Sequence, residues 1–174
     1  MFMIKPQIYI ARAKKSENGS GFDVEGGLEI QKCFPGAYYK KAEGLEAYGK
    51  TIIYEEDYPE ESFPDICFPD IPEEAKYEKT DFTLTLYFFD PDKHEKEAEE
   101  IMAIDRSYHA FVEYITGSFI KYWDNVRHRK IMLTFSGGVK PVKDTLYGII
   151  YKEVDFKFTN IYGKSFKLDE PTSW

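Results

Sequence analysis

The sequence predicts a mainly antiparallel β-structure with one main α-helix, an α+β fold. Aromatic residues make up 17% of the 174 positions, 14 Tyr and 14 Phe among them, a load that favours pleated surfaces over a helical bundle. About seven short runs read as strands, and one long segment repeats apolar residues at three- and four-residue steps. Parallel winding needs a crossover helix between successive strands, and one helix cannot supply them.

The first strand is expected over residues 4–13, with Ile4, Ile8 and Ile10 on one face and Tyr9 on the other. Residues 14–21 (KKSENGSG) read as a loop or hairpin tip. Leu28 to Phe34 alternates and predicts a second strand, closed by a turn at Pro35-Gly36. Thr51 to Tyr54 predicts a short strand. Residues 55–78 carry Pro59, Pro64, Pro69 and Pro72 among many carboxylates, so they read as a long irregular excursion. Such a loop usually serves contact or recognition.

Asp81 to Phe89 (DFTLTLYFF) is the strongest strand, with Phe82, Leu84, Leu86 and Phe88 on one face and Thr83, Thr85 and Tyr87 on the other. The helix is placed at about residues 92–116. Asp92 caps it, with Glu95 completing a capping box, and Gly117 stops it. Its apolar positions are Ala98, Ile101, Met102, Tyr108, Phe111, Val112 and Ile115. That face is expected on the sheet bearing Phe82, Leu84 and Phe156. Three further strands come after it at 119–123, 130–135 and 148–159, the last two separated by Gly137-Gly138 and Pro141. Residues 168–174 are expected to fray.

The length suits a single domain over residues 1–174. Such a chain buries roughly 70% of its unfolded surface, so it needs no staple. Cys33 and Cys67 lack a CxxC spacing and are expected as reduced, semi-buried thiols. No signal peptide and no membrane-spanning run is read, which predicts synthesis in the cytoplasm.

Net charge is −8, a poor basis for general nucleic-acid binding. The charge is split: residues 43–100 hold 19 acidic and 5 basic side chains, and the remainder holds 18 basic and 12 acidic. Arg127, Arg129 and Lys130 on one side, and Glu55, Glu56 and Asp57 on the other, are therefore the candidate subunit contacts.

Patterns that carry chemistry are weak. The acidic run lacks calcium-loop spacing. His94, His109 and His128 do not make a zinc set. G-x-S-x-G, GxxxxGK[ST] and GxGxxG do not occur. No catalytic residue, cofactor or metal is expected. Arg127-His128-Arg129-Lys130 beside Tyr122 and Trp123 reads as a hairpin turn with solvated charges, with Trp123 pointing into the core.

From residue 81 onward the order of elements resembles the tail proteins of phages and prophages, most of all the distal tail proteins with the tail-tube fold. The resemblance rests on DFTLTLYFF, one amphipathic helix, the phrase FIKYWDNVRHRKIMLTF turning at Asp124-Asn125, and a final strand GIIYKEVDFKFTN. Upstream, PGAYYKKAEGLEAYGKTIIYEE resembles the stretch where such proteins place a loop. The few residues after the last expected strand leave no room for the carbohydrate-binding domain some distal tail proteins add, so that domain is not expected within residues 1–174.

The resemblance implies a small β-barrel or two packed sheets flanked by the helix. It also implies a non-enzymatic virion protein whose six copies close into a ring in the tail tube or tip. Partners are then other copies and other tail proteins, with DNA only passing through the lumen. Assembly takes place in the cytoplasm of the host bacterium, and the finished protein resides in the virion tail. Net acidity suits such a conduit, because a repelling wall lets the polyanion slide. The alternatives are a tail terminator or completion protein, and a bacterial carbohydrate-binding module that uses exposed Tyr and Trp as platforms. An enzyme ranks third.

Overall fold

In a computed structural model, residues 7–15, 17, 22–50, 54–56, 65–67, 77–90, 92 and 95–168 are described. They form β1 (Ile8–Lys15), β2 (Phe22–Val24), β3 (Leu28–Glu29), α1 (Ile30–Cys33), β4 (Ala37–Glu43), β5 (Tyr54–Glu56) and β6 (Asp65–Cys67). Next in the chain are β7 (Thr80–Phe88), α2 (Glu97–Ile115), β8 (Phe119–Asp124), β9 (Arg129–Phe135), β10 (Val142–Leu146), β11 (Ile149–Asn160) and β12 (Phe166–Lys167). Ten strands share one sheet of order β2-β1-β8-β9-β11-β7-β4, with β3 beside β1, β10 beside β11 and β12 beside β9. Every pairing is antiparallel.

The antiparallel sheet and the one main helix are as expected, but of the two forms expected, a barrel or two packed sheets, the barrel is excluded: the sheet is open, and among the described strands β2 and β4 end it without pairing to each other. It is nonetheless strongly curled. Phe82 on β7 packs ring to ring with Tyr122 on β8 at 4.9 Å, although β11 and β9 lie between their strands. Side chains bridge the mouth of the curl. Arg127 Nε, in the β8–β9 turn, meets Glu46 Oε1 at 3.3 Å on the loop after β4.

Alternation explains the core. Phe82, Leu84, Leu86 and Phe88 on β7 and Val154, Phe156 and Phe158 on β11 are buried on one face. They pair strand to strand, Phe156 opposite Leu84 and Phe158 opposite Phe82. Ile8 and Ile10, Ile120 and Tyr122, and Ile131 and Leu133 extend that face across β1, β8 and β9. The opposite face of β7 and β11 is polar, where the Thr85 hydroxyl donates to Asp155 Oδ1 at 2.6 Å.

Helix α2 covers the apolar face with Ile104, Phe111 and Ile115 buried, and Ile101, Tyr108 and Val112 packed alongside. Met102, expected in this face, is 63% exposed. Apolar steps of three and four admit two phases of the helix, and the phase set by Phe111 and Ile115 turns Met102 outward. The helix also starts later than expected. Asp92 does not cap it: its N–H donates to Asp90 Oδ1 at 2.9 Å, and Lys96 occupies the N-cap without a side-chain bond. Glu97, Glu99 and Glu100 in the first turn favour the helix dipole instead. At the other end Arg12, from β1, donates Nε–H to Tyr114 O at 2.8 Å and Nη2–H to Glu113 O at 3.3 Å, so a cation satisfies the last carbonyls.

Five expectations change. Leu28 to Phe34 is a strand only at Leu28–Glu29 and then turns into α1. Ile30 and Phe34 fit a helical step as well as an alternating one, and both are buried. The stretch expected as a loop after Pro35-Gly36 is β4, an edge strand on β7 with a bulge between Tyr39 and Lys41. Within the excursion, β5 and β6 pair with each other. Leu168 is not frayed: it is buried, and its carbonyl accepts from Trp123 Nε1–H at 2.7 Å. Cys33 is free and exposed rather than semi-buried, and Cys67 lies in the backbone of β6. Ile4, Thr51, His94 and Asp57 lie outside the described residues.

Candidate assembly surface

Strands β10 and β11 form a hairpin whose register runs from Val142 opposite Glu153 to Leu146 opposite Ile149. Two residues, Tyr147 (φ +50°) and Gly148 (φ +78°), make the turn. Both are left-handed, the geometry that matches strand twist in a two-residue hairpin and that favours Asn or Gly at each place. A tyrosine at the first place is strained. Its side chain is 95% exposed, and Val142, Leu146 and Ile149 around it also stand in solvent. Single exposed apolar residues are ordinary; a cluster on one protrusion marks a contact surface.

The patch continues inward over the sheet. Leu146, Tyr147 and Ile149 adjoin Tyr87, Phe89 and Tyr151 around a shallow hollow. Tyr87 and Tyr151 meet edge to face at 5.6 Å, and Tyr38 stacks on Phe89 at 4.1 Å. Lys40 Nζ lies 2.7 Å from Glu153 Oε1 and 5.1 Å above the Tyr87 ring, and the Glu153 hydrogen bond raises its pKa above the ordinary lysine value. The outer edge of β10 is guarded. The Thr145 N–H, which an added strand would need, donates to Asp144 Oδ1 at 2.7 Å.

Beyond Phe89 opens a larger cleft of about 550 Å³ between the turn after α1 and the outer side of α2. Phe34, Pro35, Ala103 and Ala110 make it apolar, while Asp90, Asp92 and Arg106 add charge and the free thiol of Cys33 lies in its wall. Ser107 donates its hydroxyl to the Pro35 carbonyl and ties the two walls together. Gly36 (φ +90°) shapes the turn, since a Cβ there would stand 2.7 Å from Phe89 O.

Arg127, Arg129 and Lys130, expected as contacts from charge, lie in the β8–β9 turn and on β9. Arg127 is exposed but engaged within its own chain, by Glu46 and by Asp124 Oδ2 at 3.6 Å. Arg129 and Lys130 are half-buried strand residues of β9, opposite Asp124 and Trp123 of β8, rather than part of a protruding turn. Glu55 and Glu56 contribute backbone to β5, opposite Ile66 and Asp65 of β6. Arg127, Arg129 and Lys130 thus do not share one protruding turn, and the side chains of Glu55, Glu56 and Asp57 lie outside what is described. The hairpin was missed in the sequence because its turn carries Tyr-Gly where Asn-Gly is the usual signal. Trp123 is buried as expected, but on the face opposite Tyr122, edge to face with Tyr9 at 5.3 Å. Among the described residues no cluster of three metal-ligating side chains occurs. Comparison of the chain with protein-family models and with curated proteins gives no match.

Proposed function

We propose that this chain is a non-enzymatic structural protein of a phage or prophage tail, whose copies assemble into a ring, six to the ring, at the tail tube or tip. The resemblance in DFTLTLYFF, FIKYWDNVRHRKIMLTF and GIIYKEVDFKFTN supports the reading. The observation that carries it is the β10–β11 hairpin, which offers Val142, Leu146, Tyr147 and Ile149 to solvent on a sheet already supplied with a full core. A subunit built to assemble accepts such exposure, because a neighbour covers it. The partners of this reading are other copies and other tail proteins, DNA passes through the lumen unbound, and the site of action is the virion tail.

The carbohydrate-binding alternative loses one of its platforms, since Trp123 is 4% exposed. Sedimentation across concentration at low and high salt, with negative-stain imaging of the largest species, tests the proposal. The expected result is a concentration-dependent oligomer that closes as a ring. A chain that stays monomeric at every concentration and salt overturns it.

A further inference from the structure

We propose that the hairpin tip of one copy, led by Tyr147, seats in the cleft between α1 and α2 of a second copy of this chain. The inference rests on the assembly reading above and names the contact that makes it. A strained, fully exposed tyrosine is costly to keep unless its ring is used. Tyrosine joins an apolar body to a polar tip, so it wants a pocket with apolar walls and a hydroxyl partner at depth.

The cleft has that character. Phe34, Pro35, Ala103 and Ala110 would hold the ring, and Asp90, Asp92 or Arg106 would take the hydroxyl. Its volume, about 550 Å³, exceeds what one phenol ring needs and leaves room for Leu146 or Ile149 beside it.

Charge selects the occupant. The cleft is lined by the carboxylates of Asp90 and Asp92 against the single guanidinium of Arg106. The arm leading to the tip carries Lys140 and Lys143, both exposed. A second copy therefore brings cations to the cleft together with the aromatic tip. Addition of a strand to β10 is disfavoured by the Asp144 bond to Thr145, which leaves the tip as the point of contact. The charge split of the sequence thus finds a use, with 140–143 rather than 127–130 as its basic side.

Cys33, in the cleft wall, supplies the test. Tyr147→Cys, made in a Cys67→Ser background, is treated with a mild oxidant at concentrations where the protein is associated, and the products are sized without reductant. A ladder of disulfide-linked copies that disappears with Cys33→Ser is the expected result. A dimer that also depends on Cys33 but extends no further supports the tip-in-cleft contact and overturns the ring. Cys33-independent dimers, a Cys33-dependent link within one chain, or no product from a protein that sediments as an oligomer each overturn the inference and leave the assembly reading standing. A parent protein that is a strict monomer at every concentration and salt overturns both. As a second measure, Tyr147→Asn suits the left-handed turn and keeps the fold, so its dissociation constant should rise at least about tenfold with no loss of thermal stability. Unchanged association in this variant refutes the contact.

Discussion

Replacing Phe111 with alanine tests the seating of α2 on the sheet. Phe111 is fully buried, and its ring meets Phe156 at 4.9 Å, Phe34 at 5.2 Å and Phe88 at 6.2 Å. Truncation to alanine removes that packing and leaves a cavity walled by three rings, which costs about 3–5 kcal/mol. In a domain of this size each kcal/mol shifts Tm by about 2–4 °C, so the variant should melt about 6–20 °C below the parent. Met102→Ala is the matched control: with 63% of Met102 exposed, its change should stay within about 0.5 kcal/mol. Both are read by thermal melting at fixed concentration, checked by urea unfolding. If Met102→Ala costs as much as Phe111→Ala, the helix is rotated from the phase described and the packing argument fails.

Two further outcomes are expected. Lys121 is buried beside Met132 on β9 and Ala11 on β1, and burial first, then Lys130, lowers its pKa to about 8. Between about pH 8 and the ordinary lysine value the unfolded chain holds more protons, so stability gains as pH rises through that window and bears the full cost below it. Lys121→Met should therefore stabilise at pH 7 by on the order of 1–3 kcal/mol and lose most of that advantage by about pH 10.5; an advantage independent of pH in urea titrations counts against the burial argument. Asp144→Val should open the β10 edge, giving turbidity on incubation that the parent lacks, and a variant as soluble as the parent would show the guard to be unnecessary.

Where local pattern and burial agree, the fold was legible. Four alternating apolar residues placed β7, and Val154, Phe156 and Phe158 placed β11. Legibility failed where one residue broke the period. The bulge at Lys40 shifts the register of β4, so Tyr38 and Tyr39 no longer alternate with Lys41, Ala42 and Glu43. Ile30 and Phe34 satisfy two periods, and only packing against Phe111 and Tyr114 decides between them. The engagement of Arg127 was hidden for a longer-range reason. Arg127 looks free beside its neighbours in sequence, but Glu46 reaches it through the curl of the sheet, and no local pattern announces that meeting. Tyr147 went unnoticed because the turn it occupies is one that its residue type disfavours.

The central place of β11, last but one of the strands in the chain, has a consequence for biosynthesis. It lies between β7 on one side and β9 and β10 on the other, so the strand that joins the two halves of the sheet is among the last to leave the ribosome. At about 5–20 residues per second, the stretch between Phe88 and Ile149 takes several seconds to synthesise. During that interval the apolar row of β7 has only β4 and the newly formed α2 to shelter it. Chaperone demand should therefore peak on nascent chains that have displayed α2 but not yet β11. A premature stop ahead of Ile149 would release one chain with two unjoined pieces of sheet, a substrate for proteolysis rather than a shorter working subunit.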